Sequence, residues 1–174
     1  PGASGELHTK IWKGLEEFGD AGLIKQPRTK MHLAQAEGCS PIVHAFGIGS
    51  NQVTPVKPNT IAKSLAIGNP AAGPYSLEVL KQTEGTGVSA PETSIIDGIK
   101  LLAETEGIFT ETAGGVVISS LQKLVEQNKI KRNEVTVAFI TGNGLKTLDA
   151  MGDFCKPVRT TPDLESFEAA VKNN

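Results

Sequence analysis

The chain has 174 residues, of which 39% are hydrophobic and 21% charged, and its formal net charge is -2. This composition allows one hydrophobic core, and the even spread of Lys and Arg offers no basic patch for nucleic acid or anionic lipid. The longest apolar runs are far shorter than the about 20 residues that span a bilayer, so we expect no membrane partner. The two cysteines, Cys39 and Cys155, give no support to a disulfide framework or a metal site and favour a cytoplasmic setting.

The first part of the chain predicts two helices on either side of one buried strand. Apolar residues at helical spacing predict a helix over 6–18, and the glycines that follow end it. Residues 31–36 form an apolar run typical of a strand, and a serine followed by a proline starts a short helix over 40–46. Residues 47–59, rich in Gly and Pro, predict an exposed loop.

The remainder alternates helix-like and strand-like segments. The expected helices cover 60–65, 75–83, 91–106 and 113–128, and a last helix starts at 163. The expected strands are a short one at Val88, a brief one at 108–110 and the clearest at 135–140, with an extended stretch at 157–160. Because these strands are apolar runs without strict alternation, they predict helices on both faces. The fold class is therefore α/β, a mostly parallel open sheet flanked by helices.

A glycine-rich turn leads directly into the first predicted helix. It consists of Gly2, Ala3, Ser4, Gly5 and Glu6. Free backbone N–H groups and the positive end of a helix attract anions, so a phosphate is the expected ligand, with an ordinary turn as the open alternative. A dinucleotide site is a poorer match, because no G-x-G-x-x-G follows a strand.

A second candidate site follows the clearest predicted strand. Thr141 and Gly142 begin a run with two glycines at the carboxyl end of 135–140, where open α/β sheets collect their ligands. Glycine there allows a flat ring to approach the backbone, whereas a tight turn capped by the threonine remains the alternative. Glu111 opens a run of small residues at the end of 108–110, which reads in isolation as another helix start.

Several short motifs together resemble the threonine synthase family. They occur in that family's order and span nearly the whole chain. The motifs are Ile11-Trp12-Lys13-Gly14, residues 35–41 (QAEGCSP), Thr60-Ile61-Ala62, Ile67-Gly68-Asn69-Pro70, residues 104–109 (ETEGIF), residues 111–115 (ETAGG) and residues 141–146 (TGNGLK).

The resemblance implies the large domain of the tryptophan-synthase-β-like fold, with pyridoxal phosphate as cofactor. The implied activity is that of a carbon-oxygen lyase in threonine biosynthesis, which converts O-phospho-L-homoserine and water into L-threonine and phosphate. A cytoplasmic homodimer is the expected form of the full-length protein. Because the chain opens inside a glycine turn, we interpret residues 1–174 as a single partial domain.

The same resemblance assigns roles to the two candidate sites. Backbone N–H groups of residues 2–6 would hold the cofactor phosphate, and the Thr141 hydroxyl would lie at the ring nitrogen. Glu111 and Gly142 complete the implied cofactor-binding set. The family's Schiff-base lysine precedes the glycine turn, so we expect no catalytic residue within this chain and expect it to be inactive alone.

Two departures from the family pattern leave alternatives open. Glu6 brings a negative charge to the phosphate turn, and Ala66 stands where some relatives have arginine. A threonine dehydratase or cysteate synthase would share both cofactor contacts, and a lysine-free homologue could be a binding protein without catalysis. The isolated histidines His8, His32 and His44 are expected at the surface or as satisfied core residues.

Overall fold

A computed structural model describes residues 1–155 and 158–172 of the chain. Its elements in chain order are α1 (Glu6–Asp20), β1 (Leu33–Ala36), α2 (Pro41–Gly47), α3 (Gly73–Gln82), β2 (Gly87–Ala90), α4 (Glu92–Glu106), α5 (Thr112–Glu126) and α6 (Leu164–Lys172). Short 3-10 segments lie at Lys63–Leu65 and, interrupted by non-helical residues, at Gly144–Cys155. No helix within the described residues has the length and apolar character needed to cross a membrane.

The sheet of the described residues consists of two parallel strands. Leu33 of β1 lies opposite Gly87 of β2, and Ala36 lies opposite Ala90. Parallel neighbours need a crossover, and here α2 and α3 lie between the two strands in sequence. One core cluster joins both strands to α4 and α5, and a second joins β1 to α2 and α3. Helices thus bury the short sheet, as the apolar strand sequences predict.

Close packing of α4 on α5 depends on two glycines that face each other. A Cβ added at Gly98 would lie 2.5 Å from the backbone oxygen of Gly115. A Cβ at Gly115 would in turn collide with the Ile95 carbonyl. The absence of side chains at both positions therefore lets the two backbones approach directly, which supports the N-terminal part of α5 against the sheet.

Most helices lie close to the predicted positions. The helix predicted over 6–18 continues to Asp20, and the helix opened by Pro91 ends before Gly107, whose φ of 67° is left-handed. Glycine adopts that conformation without the steric penalty of a Cβ atom, and for this reason a glycine in the sequence predicts the end of the helix. The segment predicted as a helix over 60–65 contains only the three-residue 3-10 turn.

Two predicted strands are wrong. Residues 108–110 contribute an isolated antiparallel bridge between Thr110 and Asn143 rather than a strand. Residues 135–140 have no strand assignment, and Val135 is 97% exposed. A strand exists through hydrogen bonds to a neighbour, and no described residue provides one for 135–140. Of the extended stretch predicted at 157–160, Pro157 lies outside the described residues.

Candidate functional site

The carbonyl groups of the glycine turn are bound within the protein. Gly2 O accepts a hydrogen bond from the Gln35 side chain at 3.0 Å, and Ser4 O accepts one from the Ala72 N–H at 2.9 Å. Gly5 O accepts a hydrogen bond from the Ser76 hydroxyl at 3.2 Å. The acceptors of the turn therefore face inward, where the polypeptide satisfies them.

Four of the five N–H groups of the same turn are left free. The fifth, that of Gly2, donates to Ala34 O at 2.7 Å, so it is not available to a phosphate as expected from the sequence. No described residue accepts a hydrogen bond from the backbone N–H of Ala3, Ser4, Gly5 or Glu6. These four successive groups lie at the N-terminus of α1, where the helix dipole adds partial positive charge. The arrangement suits an anion with several oxygen atoms, such as the phosphate of a cofactor.

Gly5 is needed for the shape of this turn. Its φ of 91° lies in the left-handed region, which residues with a side chain rarely adopt. A Cβ at this position would also lie 2.5 Å from the Ser76 hydroxyl oxygen and 2.9 Å from the Ala72 carbonyl oxygen. Conformation and space therefore both select glycine at the point where the turn enters α1.

The Glu6 carboxylate is turned toward the Ser4 side chain. It accepts a hydrogen bond from the Ser4 hydroxyl at 3.1 Å, and both side chains are accessible to solvent. An acidic residue in the first turn of a helix is favourable because it faces the positive end of the helix dipole. The carboxylate would nevertheless repel a phosphate bound at the neighbouring N–H groups.

A buried glutamine joins the turn to its surroundings. The Gln35 side chain, fully buried on β1, donates to Gly2 O and accepts hydrogen bonds at 3.0 Å from the N–H groups of Ile42 and Val43. The last two groups belong to the first turn of α2, which has no partners within its own helix for them. One amide thus connects the turn, β1 and α2 in a fixed arrangement.

The second candidate site is built around a buried carboxylate. Glu111, only 3% exposed, precedes α5, and its N–H donates to Gly142 O at 3.0 Å. The Thr110 hydroxyl donates to the same oxygen, also at 3.0 Å. The ammonium group of Lys146 lies 3.3 Å from the Glu111 carboxylate and supplies its counter-charge. A buried carboxylate requires such a partner.

Gly142 cannot carry a side chain in this arrangement. A Cβ at that position would collide with the Glu111 carboxylate. Thr141, immediately before it, is exposed to solvent. The sequence therefore brings Glu111 and Gly142 into contact and leaves the Thr141 residue accessible to a ligand.

The two candidate sites border one hydrophobic core. Ala3 in the glycine turn and Ile140, just before Thr141, both pack against the cluster that contains Ala34 and Ala113. No hydrogen bond within the described part of the chain links residues 2–6 directly to Glu111 or Gly142. That one cofactor bridges the two sites stays a prediction, and a shared core is the observation that supports it.

Sequence reasoning missed the residues that position the site. Gln35 belongs to a family motif, and its placement on an apolar strand is the one signal that marks it as a buried polar residue with specific partners. Lys146 carries no local signal for its role as the counter-ion of Glu111, because the two residues lie 35 positions apart. Nothing in the local sequence predicts the Ser76 contact, because it joins residues 71 positions apart.

Known sequences resemble this chain over most of its length. Residues 1–142 match the family described as pyridoxal-phosphate dependent enzyme. The threonine synthase of Methanocaldococcus jannaschii is 41% identical over 141 residues, a region that covers 80% of this chain and 35% of that protein. The threonine synthase of Methanosarcina acetivorans is 34% identical over 165 residues, covering 94% of this chain and 40% of the relative. The chain thus spans well under half the length of these relatives.

Solved structures of the same fold are also similar. A fungal L-serine ammonia-lyase from Rhizomucor miehei superposes with a TM-score of 0.66 at 20% identity, covering 89% of this chain and 49% of that one. The threonine synthase of Escherichia coli gives a TM-score of 0.58 at 14% identity, covering 86% of this chain and 34% of that one. These neighbours confirm the predicted α/β fold class, and the sequence matches confirm the predicted resemblance.

Proposed function

This chain belongs to the family of pyridoxal-phosphate-dependent enzymes, and we propose that its full-length protein converts O-phospho-L-homoserine and water into L-threonine and phosphate. The row of four free N–H groups at the glycine turn is the observation that carries the proposal, because it suits the phosphate of the family's cofactor. Relatives named threonine synthase, 34% to 41% identical, support the choice of reaction.

Within this proposal each residue of the cofactor set has a physical task. Residues 3–6 would bind the phosphate through their free backbone N–H groups, Gly2 is fixed by its hydrogen bond to Ala34 O, and Gly5 keeps the turn open. Thr141 would offer a neutral hydroxyl to the ring nitrogen, Gly142 would permit close approach of the ring, and Glu111 supports that segment through its backbone hydrogen bond to Gly142. Bound pyridoxal phosphate supplies an electron sink for elimination and replacement at the substrate's carbon chain.

The neutral hydroxyl of Thr141 bears on the type of chemistry. A carboxylate at the ring nitrogen would hold a proton there and strengthen the sink, whereas a hydroxyl does not. A weaker electron sink suits elimination and replacement reactions. Relatives that carry out such reactions differ in the leaving group and in the incoming group. A threonine dehydratase or cysteate synthase would share both cofactor contacts and is the second candidate for the reaction. Ala66 favours it, because some relatives have arginine at this position.

Product analysis of the full-length protein tests the reaction. O-Phospho-L-homoserine should give L-threonine and phosphate, while L-threonine and O-phosphoserine should give little product. Substitution Thr141→Val in that protein should lower kcat/KM about tenfold, which corresponds to about 1.4 kcal/mol of transition-state stabilisation.

The matched control is Thr93→Val, the same change at an exposed threonine of α4. Its kcat/KM should stay within about twofold, since surface substitutions have small effects. Equal activity of both variants would reject the role of Thr141, and turnover of L-threonine alone would move the assignment to a dehydratase.

The 174-residue chain by itself should be inactive. We expect incubation with pyridoxal phosphate and borohydride to label its exposed lysines sparsely, since no lysine here lies in the context of the family's catalytic lysine. Peptide mapping by mass spectrometry measures the distribution of the label. Stoichiometric labelling of one lysine, together with turnover, would contradict the prediction.

The quaternary structure and location follow from the same proposal. A cytoplasmic homodimer is the form we expect for the full-length protein. Light scattering on that protein measures the first property directly.

A further inference from the structure

The connection between α2 and α3 is long and mostly irregular. The structure describes all of residues 48–72, and the 3-10 turn Lys63–Leu65 is the one helical element among them. Irregular connections longer than about 15 residues are uncommon in compact domains and are usually either disordered or functional. This connection is anchored in the protein interior, because Ala62 is fully buried and Leu65 is only 4% exposed. An ordered connection of this length therefore indicates a functional role.

The part of the connection that comprises residues 59–66 packs into the core that both candidate sites border. Ala62 and Leu65 belong to the same cluster of buried residues against which Ala3 and Ile140 pack. Ala3 lies in the glycine turn, and Ile140 immediately precedes the second candidate site. A displacement of the 59–66 segment would therefore disturb the packing that supports both sites.

One carboxylate, that of Glu92, holds the 59–66 segment in place. Glu92 is the first residue of α4, and its Oε2 accepts hydrogen bonds from the Thr60 hydroxyl at 2.9 Å and from the Ile61 N–H at 3.0 Å. Its Oε1 accepts a hydrogen bond from the Gly38 N–H at 3.1 Å. Because Gly38 follows β1, a single side chain connects the end of that strand, the 59–66 segment and the start of α4.

The chemistry of the position selects a carboxylate. All three partners of Glu92 are donors, and a carboxylate offers two accepting oxygen atoms, whereas a carboxamide offers one. The first turn of α4 also favours negative charge, because the helix dipole is positive there. Among the residues that the structure describes, no lysine or arginine forms an ion pair with Glu92. The hydrogen bonds and the helix end therefore stabilise its charge.

The Thr60 hydroxyl extends this constraint to the buried core. It donates to Glu92 and accepts a hydrogen bond from the Ala62 N–H at 3.1 Å. Backbone contact reinforces the arrangement, since the Asn59 N–H donates to Gly38 O at 2.9 Å and a Cβ at Gly38 would collide with the Asn59 carbonyl. The position of Ala62 in the core thus depends on Glu92 through one hydroxyl group.

We propose that Glu92 is a positioning residue of the cofactor site, because its carboxylate fixes the 59–66 segment against the core that supports the glycine turn and Thr141. Its role is indirect, since it acts through Thr60 and Ala62. The inference rests on the cofactor site proposed above and does not depend on the choice of reaction. Small displacements around a reacting centre lower rates strongly, so loss of this support should affect cofactor affinity and kcat more than KM.

Hydrogen exchange of the full-length protein tests whether Glu92 holds the segment. In Glu92→Gln one end of the side chain can no longer accept, so the amides of residues 59–62 should exchange at least about fivefold faster. Glu78→Gln, the same change at an exposed position of α3, should leave their exchange within about twofold of the parent. Circular dichroism establishes that both variants are folded.

Cofactor titration and steady-state kinetics test the consequence for the site. Glu92→Gln should raise the dissociation constant of pyridoxal phosphate about fivefold, measured by the absorbance of the bound cofactor. At saturating cofactor its kcat should fall about tenfold, while KM for the substrate stays within about twofold. Glu78→Gln should retain the parent values of all three quantities.

A second pair of variants tests the hydroxyl on which the mechanism depends. Thr60→Val can neither donate to Glu92 nor accept from the Ala62 N–H, so it should show the same changes in exchange, cofactor affinity and kcat as Glu92→Gln. Thr60→Ser keeps the hydroxyl and should restore all three to within about twofold of the parent. This pair decides the question even if Glu92→Gln fails to fold.

Three results would overturn the proposal. The first is unchanged exchange of residues 59–62 in both Glu92→Gln and Thr60→Val. The second is faster exchange with parental cofactor affinity and kcat, since the role of Glu92 would then be structural alone. The third is that Thr60→Ser is as impaired as Thr60→Val. Failure of the proposed reaction would instead appear in the parent protein, as a different product, and would leave the ranking of these variants in cofactor affinity intact.

Discussion

Substitution Gly98→Ala should lower the free energy of unfolding by about 2 kcal/mol, although alanine is the better helix former. The new Cβ would lie 2.5 Å from the Gly115 carbonyl oxygen and 3.2 Å from its carbon. These atoms belong to the backbone of α5, which cannot move aside as the end of a flexible side chain can. The two helices must separate, and the resulting loss of packing exceeds the gain in helix propensity.

Gly14→Ala is the matched control for this prediction. Gly14 lies in the interior of α1, and a Cβ there meets no atom within 4 Å. The same chemical change should therefore raise the free energy of unfolding by about 0.5 to 1 kcal/mol. Urea unfolding followed by circular dichroism measures both variants. Stabilisation by Gly98→Ala would show that the helices are less tightly packed than the structure indicates.

Lowering the pH from 7 to 4 should remove about 3 kcal/mol of stability through His8 alone. Burial lowers the pKa of His8 to about 4, against 6.5 for the unfolded chain. Neither ring nitrogen has a hydrogen-bond partner among the described residues, although the Met31 backbone lies near enough to favour the charged form. The chain's terminal amine and His32 add smaller effects that lower the pKa.

The direction of this effect follows from proton binding. Between pH 6.5 and 4 the unfolded chain binds a proton at His8 that the folded protein does not, so stability falls as the pH falls. His8→Leu should flatten this part of the pH profile, whereas His44→Leu, at an exposed residue of α2, should leave it parallel to the parent. Urea unfolding at several pH values measures the difference. Parallel profiles for the parent and His8→Leu would exclude His8 as the source.

The sequence predicted helices better than strands, for a physical reason. The helix stop at Gly107 and the apolar spacing of α1 are local signals, and the corresponding helix ends lie within two residues of prediction. Residues 135–140 carry an equally clear local preference, but a strand also requires a neighbour, which no local pattern supplies. Without such a neighbour the segment forms no strand, and Val135 stays exposed to solvent.

The candidate site was predictable in part. The glycine turn was recognised because free N–H groups at a helix start are a local property of the backbone. The contact between Glu111 and Gly142, by contrast, joins residues 31 positions apart. The family resemblance placed both residues in the cofactor-binding set but did not predict that they touch. His8 was expected at the surface or in the core with hydrogen-bond partners. It is buried, and its ring nitrogens have no hydrogen-bond partner among the described residues, because its burial depends on tertiary packing that the local sequence does not show.

The three hydrogen bonds of Gln35 have a consequence for ligand affinity. Because its amide holds Gly2 against the start of α2, the turn is preorganised before any anion arrives. A phosphate bound there as proposed would lose little free energy to the ordering of a mobile loop, and more of its attraction to the turn would be realised as affinity. If the turn binds the phosphate as proposed, a single uncharged side chain would thereby strengthen the binding of a charged ligand through the backbone that it holds in place.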